Sequence, residues 1–171
     1  MKTEPPRVLV IGHGNPGRQD DGLGPALAEA LEAKNLPRVT VEATYLLEPE
    51  DAELVSRHDV AVFVDAAVTG PEPFSVQAVR PADTLTFSSH GLGPAEIMGL
   101  AHHVFGSAAR GYVLGIRGYQ FDDFGQMLSE RARENLEQAT RHLEELIRGG
   151  DFPSLAALPD LSAPVAAPLS S

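Results

Sequence analysis

The chain has 171 residues, 43% hydrophobic and 22% charged, which predicts one globular domain with a sizeable core. No apolar run approaches the length of about 20 residues that a membrane-spanning helix needs, and the opening MKTEPPR lacks the apolar stretch of a secretory signal. We therefore expect a cytoplasmic protein without membrane insertion. The absence of cysteine excludes disulfides and thiolate chemistry, and a net charge of −11 argues against nucleic acid as a partner.

The first half of the chain alternates predicted strands with predicted helices. Short, β-branched apolar runs at residues 7–12 and 60–64 are typical of strands buried on both faces of a parallel sheet. Between them, a glycine loop leads into a helix with leucines at helical spacing. Residues 39–45 have the composition of a strand and residues 50–57 that of a short helix, which completes a βαβαβ order.

The second half begins with an alternating strand at residues 74–79, a pattern that favours an edge position and permits an antiparallel direction. A helix is predicted from Pro94, a strand at residues 112–116, and a long amphipathic helix from Leu128 to the glycines at Gly149. The elements together predict a three-layer α/β sandwich around a mixed, mainly parallel sheet of about five strands.

The predicted domain spans residues 1–150. Residues 151–171 form a Pro/Ala/Ser-rich tail, in which these three residue types supply 13 of 21 positions without periodicity. Such a composition predicts disorder, because it offers too little apolar surface to offset the entropy of folding.

Acidic and imidazole side chains are predicted at the carboxyl ends of strands, where ligand sites lie in sheets of this kind. Asp20 and Asp21 follow the first strand, Asp65 ends the third, and His90 lies in a glycine-containing loop before a helix. A carboxylate at the end of a buried strand is costly unless it is hydrogen-bonded, paired or bound to a metal. Two carboxylates and one imidazole would hold a divalent transition metal incompletely, leaving positions open for water or substrate.

Structural alternatives exist for each of these residues. Asp65 can cap the turn that follows it, and either Asp20 or Asp21 can cap the next helix while its neighbour faces the site. His90 can be exposed without a role. His13, inside the glycine loop, can reach the same cleft.

The glycine loop itself fits the dinucleotide-binding pattern G-x-G-x-x-G at residues 12–17, after a predicted strand and before a helix. Asp20 and Asp21 place negative charge at the helix start that would receive the phosphate, so the charge disfavours this interpretation. The segment VIGHGNPG also resembles the start of bacterial peptidyl-tRNA hydrolases, but the continuation RQDDGLG lacks that family's catalytic histidine segment.

A broader resemblance is to the hydrogenase maturation endopeptidases, which process the large subunit of nickel–iron hydrogenases. Four segments match that family in order, and the strand and helix pattern extends the match over about residues 7–148. The segments are GHGN, DDGLG, VFVDA and SHGLG at residues 12–15, 20–24, 62–66 and 89–93.

The resemblance implies a site-specific endopeptidase that removes a C-terminal peptide from a hydrogenase large-subunit precursor. Asp21, Asp65 and His90 then occupy the family's metal-contacting positions and carry catalysis, with nickel brought by the precursor rather than held at rest. Some family members have Glu in place of Asp21, which leaves a shared role for Asp20 open. His13 stands where the family often has an aliphatic residue.

The chemistry of cleavage stays open at this stage. A metal can polarise the scissile carbonyl or activate water, or a carboxylate can act as general base while nickel serves for recognition. A non-enzymatic metal-binding maturation factor that uses the same three groups is the remaining alternative.

Overall fold

The computed structural model describes residues 4–83, 91–153 and 159. Its strands are β1 (Val8–His13), β2 (Val39–Thr44), β3 (Val60–Ala67), β4 (Phe74–Val79) and β5 (Arg110–Arg117). Its α-helices are α1 (Leu23–Glu32), α2 (Glu50–Ser56), α3 (Pro94–Phe105) and α4 (Glu130–Gly149). A short 3₁₀ helix at Gln19–Gly22 precedes α1.

The strands form one sheet of five in the order β2-β1-β3-β5-β4. Strand β1 pairs in parallel with β2 and β3, and β3 pairs in parallel with β5. Strand β4 lies at the edge and runs antiparallel to β5. The mixed, mainly parallel sheet is confirmed, and the alternating pattern of residues 74–79 correctly indicated an edge strand.

Helices cover both faces of the sheet, which confirms the three-layer sandwich. Successive side chains of a strand point to opposite faces, so Val8 and Val10 join one core while Leu9 and Ile11 join the other. The first core packs against α1 and α4, and the second against α2 and α3. Burial on both sides explains why β1 and β3 are nearly continuous apolar runs.

Two glycines allow α1 to lie directly on the sheet. A Cβ atom at Gly12 would lie 2.1 Å from the carbonyl oxygen of Gly24, and a Cβ atom at Gly24 would lie 2.4 Å from the carbonyl oxygens of His13 and Val64. No side chain fits either position without a backbone shift. The contact fixes the start of α1 against the carboxyl ends of β1 and β3.

The chain after α4 returns to the sheet. Phe152 is buried, and its ring centroid lies 5.7 Å from that of Tyr112. The Tyr112 hydroxyl donates to the Pro153 carbonyl oxygen at 2.6 Å, and the Ala78 N–H donates to the Pro159 carbonyl oxygen at 2.9 Å. Residues 154–158 and 160–171, most of the predicted tail, lie outside the described residues. No helix in the described ranges is long and apolar enough to span a bilayer.

Candidate active site

The glycine loop leaves β1 in a tight turn that brings the 3₁₀ helix back over the strand. Gly14 has a φ of 142°, and a Cβ atom there would lie 2.2 Å from the carbonyl oxygen of Asp21. Asn15 holds the turn: its Oδ1 accepts from the Gly17 N–H at 2.8 Å, and its Nδ2 donates to the Tyr45 hydroxyl at 2.8 Å. The loop is therefore a structural turn that delivers the two aspartates.

Asp20 is fully buried and bonded to a distant part of the chain. Its carboxylate accepts from the backbone N–H groups of Tyr119, Gln120 and Ser129, at 2.8 to 2.9 Å, and from the Ser129 hydroxyl at 2.7 Å. Ser129 is also the N-cap of α4, where its side chain accepts from the Ala132 N–H. Asp20 thus anchors the loop that connects β5 to α4.

The same bonds stabilise the ionised form of Asp20. Burial acts to raise its pKa, but the hydrogen bonds from Ser129, Tyr119 and Gln120 outweigh burial, and the pKa is lowered below the usual carboxyl value. Both oxygens of the Asp20 carboxylate accept hydrogen bonds from within the domain, so Asp20 has a structural role.

Asp21 is the aspartate that faces the site. Its side chain is partly exposed, and its Oδ2 accepts from the Asn15 N–H at 2.9 Å. The negative charge of Asp21 contributes an upward shift to the pKa values of both Asp65 and His13. The structure therefore brings Asp21, rather than Asp20, together with Asp65.

Asp65 lies near the carboxyl end of β3 with a partly buried side chain. Burial raises its pKa above the usual carboxyl value, and repulsion from Asp21 adds to this, while attraction to His13 and a 2.8 Å hydrogen bond from the Ala66 N–H oppose it. The carboxylate is consequently a stronger base than that of an ordinary aspartate.

His13 lies on the same face of the sheet as Asp65. Within the described residues, its buried Nε2 has no hydrogen-bond partner. Burial lowers the pKa of the imidazole, and the nearby carboxylates of Asp65, Asp21 and Asp51 only partly offset this. Burial thus shifts the pKa values of the imidazole and of the Asp65 carboxyl group in opposite directions, each away from its charged form.

A row of residues crosses the sheet at this level. Gly115 of β5 pairs with Asp65 on one side and with Ser75 of β4 on the other, and His13 pairs with Thr44 of β2. Paired residues present their side chains to the same face, so the row places hydroxyl groups of Thr44 and Ser75 on either side of the two titratable groups. Sequence reasoning missed these hydroxyls, because only the strand register reveals them.

His90 lies outside the described residues, in the gap at 84–90. Two residues further on, Leu92 packs against the core formed with α2 and α3, which lies on the side of the sheet to which Asp65 points. Helix α3 ends near the amino end of β5, so it begins at the carboxyl edge of the sheet. Gly93 is its N-cap, with an N–H that donates to Glu96 Oε2 at 3.1 Å.

The described part of the site supplies oxygen donors from Asp21 and Asp65. Among residues 4–83, 91–153 and 159, no three His, Asp or Glu side chains are arranged to hold a metal ion. Carboxylates suit divalent metals but two of them leave most coordination positions open. A metal brought to this edge would need further ligands.

No family model matches the chain. Among curated relatives, the hydrogenase expression/formation protein HoxM of Azotobacter vinelandii is 26% identical over 176 residues, covering 90% of this chain and 83% of the relative. HupD of Thiocapsa roseopersicina, also a hydrogenase expression/formation protein, is 26% identical over 152 residues, covering 81% and 66%.

Solved structures agree with this likeness. The [NiFe] hydrogenase maturation protease HycI from Thermococcus kodakarensis KOD1 superposes with a TM-score of 0.67 at 24% identity, over 83% of this chain and 92% of that one. The hydrogenase maturating endopeptidase HybD from E. coli superposes with a TM-score of 0.65 at 20% identity, over 84% of this chain and 93% of that one. The fold is that of the hydrogenase maturation proteases, and the sequence relatives confirm the chain's resemblance to the hydrogenase maturation endopeptidase family.

Proposed function

We propose that this chain is an endopeptidase that removes a C-terminal peptide from the precursor of a nickel–iron hydrogenase large subunit. The observation that carries the proposal is the proximity of Asp21 and Asp65 at the carboxyl edge of a sheet with the hydrogenase maturation protease fold. The names of the sequence relatives, which are hydrogenase expression/formation proteins, support the same substrate.

Nickel enters this proposal as part of the substrate. Asp21, Asp65 and His90 contact a nickel ion that is already bound to the precursor, and the precursor's own ligands fill the remaining positions. Two carboxylates and an imidazole make an incomplete donor set, which suits recognition of a metal held by another protein. The protease thereby acts only on a precursor that has received its metal.

Asp65 is the candidate general base. Its side chain lies at the carboxyl edge of the sheet beside Asp21, and burial raises its pKa, which makes it a stronger base than an ordinary aspartate. Asp65 takes a proton from a water molecule while the oxygen of that water attacks the scissile carbonyl carbon. The proton then passes from Asp65 to the departing amine as the peptide C–N bond breaks. Nickel bound at the site would supply charge stabilisation of the polarised carbonyl.

The test uses purified protein and the large-subunit precursor in nickel-loaded and nickel-free forms. Mass spectrometry of the precursor should show the loss of a C-terminal peptide from the nickel-loaded form and an unchanged mass for the other. Cleavage of both forms at equal rates would refute the recognition of nickel but not the protease function. If neither form were cleaved, the protease function itself would be refuted.

A further inference from the structure

Large hydrophobic side chains are exposed mainly at the edge of the sheet that carries the site. Seven are exposed in the described part of the chain, and five of these follow the carboxyl ends of parallel strands. We call these five the apolar rim: Tyr45 and Leu46 after β2, Val68 after β3, and Phe124 and Met127 after β5. The other two, Val104 and Phe105, end α3 at the opposite edge.

The rim is attached to the glycine loop on two sides. On one side, the Tyr45 hydroxyl accepts a hydrogen bond from Asn15 at 2.8 Å. On the other, the Gly125 carbonyl oxygen accepts from the Gln19 N–H at 2.7 Å, and the Gly125 N–H donates to Gly17 at 2.8 Å. The rim therefore flanks the loop that positions Asp21.

The side chains of the rim after β5 are exposed although their loop is anchored. Phe124 and Met127 are 91% and 76% exposed, while the buried Asp20 carboxylate holds both ends of the loop through Tyr119 and Ser129. A groove of about 570 Å³ runs along α1 between the glycine loop and β2, and Gln126 and Leu128, on either side of Met127, line one part of it. Solvent-exposed apolar side chains on a fixed loop beside a groove are typical of a binding surface.

The charged residues beside the apolar rim indicate which kind of polypeptide segment it can bind. The exposed acidic residues Asp122 and Asp123 directly precede Phe124, and Glu48 and Glu50 follow Leu46. The glycine loop contributes the exposed cation Arg18, but the chain carries a net charge of −11. A partner segment with apolar side chains and flanking basic groups is complementary to this surface.

We propose that the apolar rim binds the segment of the precursor next to the scissile bond, and that this segment presents apolar side chains flanked by basic ones. The inference rests on the proposed function, because the rim borders the site that cleaves. It assigns substrate affinity to side chains that take no part in bond breaking.

The test compares two double variants that remove apolar surface from opposite edges of the same protein. Phe124→Ser with Met127→Ser removes part of the rim, and Val104→Ser with Phe105→Ser is the matched control. For each, precursor binding and the kcat and KM of cleavage are measured with nickel-loaded precursor, at low and high salt. Thermal melting verifies that both variants fold like the wild type.

We expect the rim variant to raise KM and the precursor Kd about tenfold or more while kcat changes less than about twofold. The control should leave all three constants unchanged, and high salt should weaken wild-type binding because basic groups face Asp122 and Asp123. Equal KM values for the rim variant and wild type would overturn the inference. The inference would also be overturned if size-exclusion chromatography showed a dimer for the wild type and a monomer for the rim variant. The occupant of the rim would then be a second copy of this chain.

These outcomes are separate from failure of the proposed function. If the wild type cleaves and the rim variant has a normal KM, only the rim assignment is wrong. If the wild type neither binds nor cleaves the precursor, the proposed function fails and the rim assignment falls with it.

Discussion

The adjacent aspartates Asp20 and Asp21 lie in different environments. Asp20 is buried and accepts four hydrogen bonds from the segment between β5 and α4, whereas Asp21 is partly exposed and, within the described residues, accepts one, from the Asn15 N–H. The same substitution at the two positions should therefore affect different properties.

Asp20→Asn should lower the free energy of unfolding by about 2 kcal/mol or more, because a buried network loses its charged acceptor and gains an unmatched amide donor. Asp21→Asn should change stability by less than about 0.5 kcal/mol and should abolish precursor cleavage. Urea unfolding measures the first effect and the precursor mass the second. Equal loss of stability in both variants would contradict this expectation.

The pKa of Asp20 also predicts an acid response. Because its folded-state pKa is lowered, Asp20 contributes stability above its unfolded pKa of about 3.9, and that contribution is lost as the pH falls through the folded value. The stability difference between wild type and Asp20→Asn should therefore shrink below about pH 4. A constant difference from pH 7 to pH 2, measured by urea unfolding, would show that the bonds to Asp20 do not depend on its charge.

His13 predicts a pH dependence in a different window. Its folded-state pKa is lowered by burial, so the unfolded chain binds the proton first, and folding stability falls as the pH drops below about 6.5. His13→Leu removes this term and the unpartnered Nε2, so its melting temperature should exceed that of the wild type more at pH 5.5 than at pH 8.

At the scale of elements, the contact between β1 and α1 depends on two glycines. Gly24→Ala places a methyl group 2.4 Å from two backbone carbonyl oxygens, which no side-chain rotation relieves. We expect it to cost about 3 kcal/mol or more, the range of severe overpacking. Gly149→Ala, at the end of α4, has only a side-chain oxygen at 3.8 Å and should be neutral or slightly stabilising. Similar melting temperatures for the two variants would refute this account of the contact.

At the scale of the whole molecule, local patterns predicted the elements well, because burial on both faces forces apolar runs in β1 and β3 and alternation in the edge strand β4. The carboxyl-edge location of Asp21 and Asp65 followed from the parallel order. The parallel order did not reveal which of Asp20 and Asp21 faces the site. That depends on the bond from Ser129 to Asp20, and Ser129 lies 109 residues further along the chain. The hydroxyls of Thr44 and Ser75 likewise become neighbours of the site only through strand register.

We propose that Asp65 acts in the C-terminal processing of a nickel-loaded hydrogenase precursor. The most direct test of this role is the mass of that precursor after incubation with the wild type and with Asp65→Asn, both verified as folded by thermal melting. We expect the precursor to lose a C-terminal peptide with the wild type and to stay intact with the variant. Cleavage by Asp65→Asn at the wild-type rate would contradict it.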